Sequence, residues 1–299
     1  MGWPGLGNEC ATSLNNAFMR LYDAHNHLQD DRFGGGQSTL MTACRSAGIA
    51  GMVVNGSCES DWPQVLALAR EYPEVIPSFG YHPWYLEERT PEWQTTLTHY
   101  LEQMPSAIGE IGLDRWKEGL EYAPQEAAFQ WQLRLATERN RPASIHCLQA
   151  WGRLYDLLRA SPRPVCGFVL HSYGGPREMI EPLARLGAYF SLPGYFAHAR
   201  KERHRETFRH VPPDRLLIET DAPDQLMPDT HVRLPLNESN SGRAINHPAN
   251  LPAVYALAAE ITGDSIESVA NRVEENFQRV FGPAIDLARG PQRSAAKNR

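Results

Sequence analysis

The sequence predicts an α/β fold, a (β/α)8 barrel of the TIM type, on three observations. Short β-branched or apolar runs alternate with longer amphipathic stretches, the rhythm of a parallel sheet with crossover helices. Eight such runs occur, the number that closes a barrel. The 299 residues, 42% apolar and 21% charged, suit one barrel with a large core. An open doubly wound sheet would call for a glycine-rich phosphate loop behind an early strand. The stretch from Phe33 to Gln37, FGGGQ, lacks both the GxGxxG spacing and a lysine.

Taken in order, the first strand is Arg20–His25, where Leu21 and Tyr22 lead into polar Asp23 and His25. The second, Ile49–Asn55, is carried by Met52, Val53 and Val54 and stops at Gly56. A helix over Trp62–Glu71 opens with Pro63 in its first turn, where the missing N–H is no loss. Val75–Tyr81 is the third strand, and the helix Pro91–Gln103 again opens on proline. Ala107–Leu113 is followed by a helix over Gln125–Arg139, Pro142–His146 by one over Gln149–Arg159, and Val165–His171 by one over Pro176–Leu186. Ala188–Leu192 with the helix Ala199–His210, then Leu216–Asp221, complete the eight. Helices over Ala249–Ile261 and Ser265–Val280 follow a polar loop from Asp224 to Asn246, long enough to expect a functional part in it. Residues 1–17 and 286–299 lack a sustained apolar face and read as tails around a single domain, 18–285.

A formal charge of −6 argues against a protein that coats nucleic acid through bulk positive charge, and leaves room for a local patch. Five scattered cysteines (Cys10, Cys44, Cys58, Cys147, Cys166) with no CxxC pair indicate a reducing compartment. With no secretory h-region and no apolar run long enough for a membrane span, the expected setting is cytoplasmic, away from membranes, as a monomer.

The strongest local signal is Asp23-Ala-His25-Asn-His27. Residues two apart on a strand share a side, so His25 and His27 can grip one cation. A histidine pair at a strand end can equally hydrogen-bond to backbone. The context favours metal: Glu110, His146, His171 and Asp221 stand at the C-terminal ends of later strands, and a barrel gathers those ends in one place. Six such groups at one rim are unfavourable without a cation between them. Nitrogen and carboxylate donors without thiolate suit zinc, iron, manganese or magnesium. Six ligands suggest two divalent ions (Mg2+, Mn2+ or Zn2+), with Glu110 bridging them and Asp221 both ligand and proton acceptor, the catalytic pair of a metal-dependent hydrolase. Glu219 should lie one layer deeper than Asp221 as a polar support. Cys147 should point away from His146 as a buried thiol. His82, in the loop after the third strand, either contacts a substrate oxygen or packs on Trp84.

In this order, the residues resemble the TatD family of metal-dependent hydrolases, from about Leu21 to Phe281. The matches are DAHNHL, GYHPW, GEIGLD with Glu110, the fifth- and sixth-strand histidines, ETDAP ending at Pro223, and the closing NHPANLPAV and ENFQRVF. The resemblance implies that His25, His27, Glu110 and Asp221 hold one ion, that Glu110, His146 and His171 hold the other, and that His82 lies near a substrate phosphate. It implies a deoxyribonuclease acting on single-stranded DNA or DNA 3′ ends. The chain departs from the family at the rim. His146-Cys147-Leu148 lacks the usual Arg two after the histidine, Ser172-Tyr173-Gly174-Gly175 replaces Phe-Ser/Thr-Gly, and Asp224 stands where an aromatic is common. A bidentate guanidinium is hard to replace, with Arg115 the nearest substitute. The altered rim keeps open an alternative substrate, a small cyclic amide, lactone or phosphate ester served by the same ions. A barrel that binds metal without chemistry is the third reading, disfavoured by the complete ligand set.

Overall fold

The structure is a computed structural model, and it describes residues 19–289. The expected N-terminal tail, Cys10 and residues 290–299 of the expected C-terminal tail lie outside the described residues, while residues 286–289, read as the start of that tail, continue the last helix to Arg289. Strands β1 (Leu21–Asn26), β2 (Ile49–Asn55), β3 (Val75–Phe79), β4 (Ala107–Asp114), β5 (Ala143–Leu148), β6 (Phe168–Leu170), β7 (Ala188–Pro193) and β8 (Leu216–Glu219) pair in parallel in chain order. The helices between them are α1 (Gln37–Ser46), α2 (Trp62–Glu71), α3 (Trp93–Gln103), α4 (Tyr122–Glu138), α5 (Trp151–Ala160), α6 (Ile180–Arg185) and α7 (Glu202–Phe208). This is the (β/α)8 barrel the residue pattern predicts. Its strands are buried nearly throughout because helices cover the outside and side chains fill the inside.

Helix α1 is absent from the sequence reading. In QSTLMTACRS the buried residues Leu40, Met41 and Cys44 fall within little more than one turn, and the helix starts on Gly36 with neither a proline nor a side-chain cap to mark it. Strand β6 is shorter than expected, because Val165 is 95% exposed and the chain enters the sheet only at Phe168. Strands β3 and β8 also stop two residues short, at Phe79 and Glu219. The helices α6 and α7 are each preceded by a tight 3-10 turn, at Arg177–Met179 and Ala199–Lys201.

Where β1 meets β8, side chains stand in for ladder bonds. The Asp23 carboxylate accepts from the Thr220 N–H (3.0 Å) and the Thr220 hydroxyl (2.6 Å). At the mouth, the Asp221 N–H donates to the His25 carbonyl (2.9 Å) and the His27 N–H to the Ala222 carbonyl (2.8 Å). Two closing helices, α8 (Leu251–Thr262) and α9 (Ile266–Arg289), cover this seam. The Tyr255 hydroxyl accepts from the Tyr22 N–H (2.9 Å) and donates to the Tyr22 carbonyl (3.0 Å), while Phe277 packs on the Tyr22 ring at 4.7 Å. The loop Asp224–Asn246 folds into a small antiparallel hairpin, β9 (Leu236–Asn237) with β10 (Ala244–Ile245). Arg32, from the loop after β1, ties that loop's start down through both oxygens of Asp224 (2.8 and 2.7 Å).

Candidate metal centre at the barrel mouth

The side chains named from the sequence arrive at the mouth from five strand ends. His25 lies on β1 and His27 just beyond it. Glu110 lies on β4 and His146 on β5, His171 directly follows β6, and Asp221 comes two residues after β8. All but His27 are buried, with Glu110 only 3% exposed. Asp221 adopts φ 53°, a left-handed conformation that aspartate tolerates better than most residues and that turns the side chain out of the strand's alternation.

Glu110 is the hub. Its Oε2 lies 3.4 Å from Nε2 of both His25 and His27. Its Oε1 lies 2.8 Å from His171 Nε2, 3.2 Å from His146 Nδ1 and 3.5 Å from His82 Nε2. Asp221 Oδ1 closes the first group at 3.6 Å from His25 Nε2 and 3.5 Å from His27 Nε2. Within each group ring nitrogens crowd one another. His25 and His27 Nε2 are 3.3 Å apart, and His146 Nδ1 and His171 Nε2 are 3.2 Å apart. Donors of this type, facing inward at these spacings, can hold divalent cations.

The outward nitrogens decide which atom of each ring is free. His27 Nδ1–H donates to the Asn55 carbonyl (2.8 Å), leaving Nε2 bare towards Glu110 and Asp221. His146 Nε2–H donates to Asp114 Oδ2 (2.9 Å), leaving Nδ1 bare. His25 Nδ1 meets Ser144 Oγ at 2.9 Å, and His171 Nδ1 faces Glu219 Oε1 at 3.7 Å. His82 is arranged the opposite way. Its Nδ1 accepts from the Trp84 N–H (3.2 Å), so Nε2 carries the proton and points inward as a donor.

Without a cation, charge settles among these groups. Burial raises the Glu110 carboxyl, but the imidazoles that face it, with His171 carrying charge and His146 hydrogen-bonding, outweigh it and hold it well below the usual range. Burial lowers His27 and His171, and the facing carboxylates overcome it and raise both well above ordinary histidine. His82 is pushed well below by burial, which keeps it neutral. Asp114 is raised by burial and pulled down further by the His146 bond and the Lys117 amide, to about 2. A cation bound here would take the place of the histidine protons.

The cluster therefore brings together all six sequence-predicted ligands, with His82 beside them. Glu219 lies beneath, bonded to the Ser172 and Ser191 hydroxyls. Cys147 is buried, and burial pushes its thiol up, as a packed thiol should be. Arg115 instead lays its guanidinium over the Tyr122 ring, 3.9 Å from the centroid. Three supporting residues escaped the sequence reading: Asp114, Ser144 and Gln225. The signal for the first two was there, since Asp114 is in period-two phase with Glu110, and Ser144 with His146. Nothing in the local pattern marks Gln225, whose Nε2 donates to Asp221 Oδ2 (2.7 Å) and to the Ser172 hydroxyl.

Comparison with known proteins identifies the family. The family model described as TatD related DNase matches residues 22–282. The 3′-5′ ssDNA/RNA exonuclease TatD of Erwinia tasmaniensis is 31% identical over 264 residues, covering 87% of this chain and 99% of the relative. The protein of that name from Escherichia coli K12 is 29% identical over 271 residues, covering 89% and 100%. Among solved structures, the TatD homologue YjjV of Escherichia coli K12 superposes with a TM-score of 0.80 at 25% identity, covering 88% of this chain and 98% of that one. A TatD family hydrolase from Entamoeba histolytica, 18% identical, shares the fold with a TM-score of 0.75, covering 88% and 98%. A match that runs from the first strand to the last helix, with relatives covered end to end, means that the chain belongs to the TatD-related DNase family of hydrolases.

Proposed function

We propose that the chain is a 3′–5′ exonuclease that hydrolyses phosphodiester bonds of single-stranded DNA or RNA with two divalent cations, Mg2+, Mn2+ or Zn2+. The relatives' names support the substrate class. The observation that carries the two-cation reading is the split of Glu110, whose two oxygens face two separate sets of imidazole nitrogens. His25, His27, Glu110 and Asp221 would hold one ion, and Glu110, His146 and His171 the other. The crowded inward nitrogens support this, because at such spacings each pair needs either a proton or a cation between its lone pairs, and a divalent cation can take the place of the protons.

When bound, such ions supply an activated water and neutralise charge at the phosphorus. The chain's own groups do the rest. Asp221 is anionic, with Oδ1 inward and Oδ2 held by Gln225, so it can take the proton of the attacking water and deliver it to the departing oxygen. His82, neutral with Nε2–H inward, donates to a phosphate oxygen. Glu110 keeps its geometry through both groups.

No described helix is long and apolar enough to cross a membrane. Cys44, Cys58, Cys147 and Cys166 are free thiols, which supports a cytoplasmic setting. We take the working form as a monomeric single domain, 18–285.

Purified protein should contain divalent metal and shorten end-labelled single-stranded DNA stepwise, and Asp221→Asn should lower the rate by about a hundredfold or more. Bound metal with no attack on DNA or RNA would move the substrate to a small ester or amide.

A further inference from the structure

Among the described residues, four large apolar side chains stand exposed: Trp116, Leu148, Val165 and Leu234. Two of them share the rim of the metal centre. Trp116 follows the end of β4, and Leu148 ends β5, joined to it by the Arg115 N–H to Leu148 carbonyl bond (2.9 Å). Trp116 is 58% exposed and lies near-parallel to Trp84, with ring centroids 6.3 Å apart and an interplanar angle of 28°. Lys117 places its Nζ 4.9 Å from the Trp84 centroid.

This aromatic pair is built into the site rather than scattered on the surface. Asp114 does the building. Its Oδ1 accepts the N–H groups of Trp116 (2.7 Å) and Lys117 (2.9 Å), which fixes the turn that presents them. Its Oδ2 accepts from Trp84 Nε1–H (2.8 Å) and His146 Nε2–H (2.9 Å). One carboxylate thus aligns a candidate metal ligand and both tryptophans. The Trp84 ring also lies edge-on to His82 (5.2 Å) and His146 (6.2 Å), so the pair runs from the cluster out to solvent.

We propose that Trp116, backed by Trp84, is a stacking platform for a base of the substrate strand, and that Lys117 meets an adjoining phosphate; this rests on the nuclease reading above. Every base has a π face, so such a platform grips single strands without reading sequence. Bases inside a duplex are stacked on both faces, and a paired terminal base is held against its neighbour and its complement, so the platform favours an unpaired end whose base can swing onto it.

The test compares three substrates with the metal-loaded enzyme: an end-labelled oligothymidylate, the same strand with abasic residues at its 3′ end, and bis(p-nitrophenyl) phosphate, a phosphodiester without a base. Trp116→Ala should raise KM for the oligothymidylate about five- to hundredfold with kcat little changed, the range that one lost base–aromatic stack commands. The abasic strand should bind wild type and Trp116→Ala alike, kcat for bis(p-nitrophenyl) phosphate, read at saturation because its nitrophenyl rings can themselves stack, should be unchanged, and Trp116→Phe should restore most of the affinity for the oligothymidylate. An oligothymidylate KM unchanged by Trp116→Ala would overturn the platform and leave the nuclease reading standing. So would an equal loss on all three substrates that Trp116→Phe does not relieve. Wild-type enzyme that cleaves bis(p-nitrophenyl) phosphate but neither strand would overturn the nuclease reading and the platform together.

Discussion

Asp114 shows how much a single carboxylate decides at this site. By accepting His146 Nε2–H it makes Nδ1 the free nitrogen of that ring, and an amide in its place would offer His146 a donor and reverse the tautomer. Asp114→Asn should therefore weaken metal binding, or kcat at fixed metal, by about 10- to 100-fold, the usual consequence of losing a ligand's orienting partner. The protein should stay folded, because an amide oxygen can still accept from the Trp116 and Lys117 amides. Calorimetric metal titration of the folded variant checks it, and an unchanged affinity would show that His146 needs no such partner. The same reasoning separates His82 from the other histidines. Its inward nitrogen carries a proton because Trp84 occupies the other one, so its chemistry is that of a hydrogen-bond donor.

Among the elements, β4 and β5 show how backbone spacing sets side-chain position. Gly112 lies opposite His146 in the parallel register, with φ 152°, and a Cβ there would come within 1.9 Å of the His146 carbonyl oxygen. The close approach that carries Glu110 and Asp114 alongside His146 is thus open only to glycine. Gly112→Ala should cost about 3 kcal/mol or more, since the clash is with backbone that cannot rotate away. Gly119, also at positive φ (83°) but with nothing near its Cβ, gives the contrast. Gly119→Ala should cost only about 1–2 kcal/mol, the conformational penalty alone. Denaturant unfolding of both variants measures the difference, and equal losses would refute the packing argument. The elements also show where periodicity fails to reach. The eight strands were legible because buried parallel strands are apolar throughout. Helix α1 was not, since its buried residues fall within little more than one turn, from Leu40 to Cys44, and no proline or side-chain cap marks its start.

For the whole molecule, the candidate metal centre lies at the point where the barrel's closure converges. Five strand ends supply it, and the β1–β8 seam runs beneath it through Asp23, whose carboxyl burial pushes up to about 7 against the bonds from Thr220 and His25 that pull it back. Cations bound only by the folded chain stabilise it by mass action, about 2.7 kcal/mol at a hundredfold excess over Kd. Stripping the protein with a chelator should accordingly lower Tm by about 5 °C or more, and restoring Mn2+ or Zn2+ should recover it. A Tm indifferent to both treatments would argue against any tightly held ion. By itself the sequence determined the barrel, because an alternation of strand and helix periods is written in local composition. It also determined the six candidate ligands, because a barrel gathers every strand's C-terminal end into one rim. What only the tertiary structure decided is which atoms face which: the division of Glu110 between two groups, the opposite tautomer of His82, and the anchoring of Asp221 by Gln225. It also decided that Trp84 and Trp116 lie together beside the cluster. Those depend on approaches between residues tens of positions apart, which no periodicity within a segment encodes.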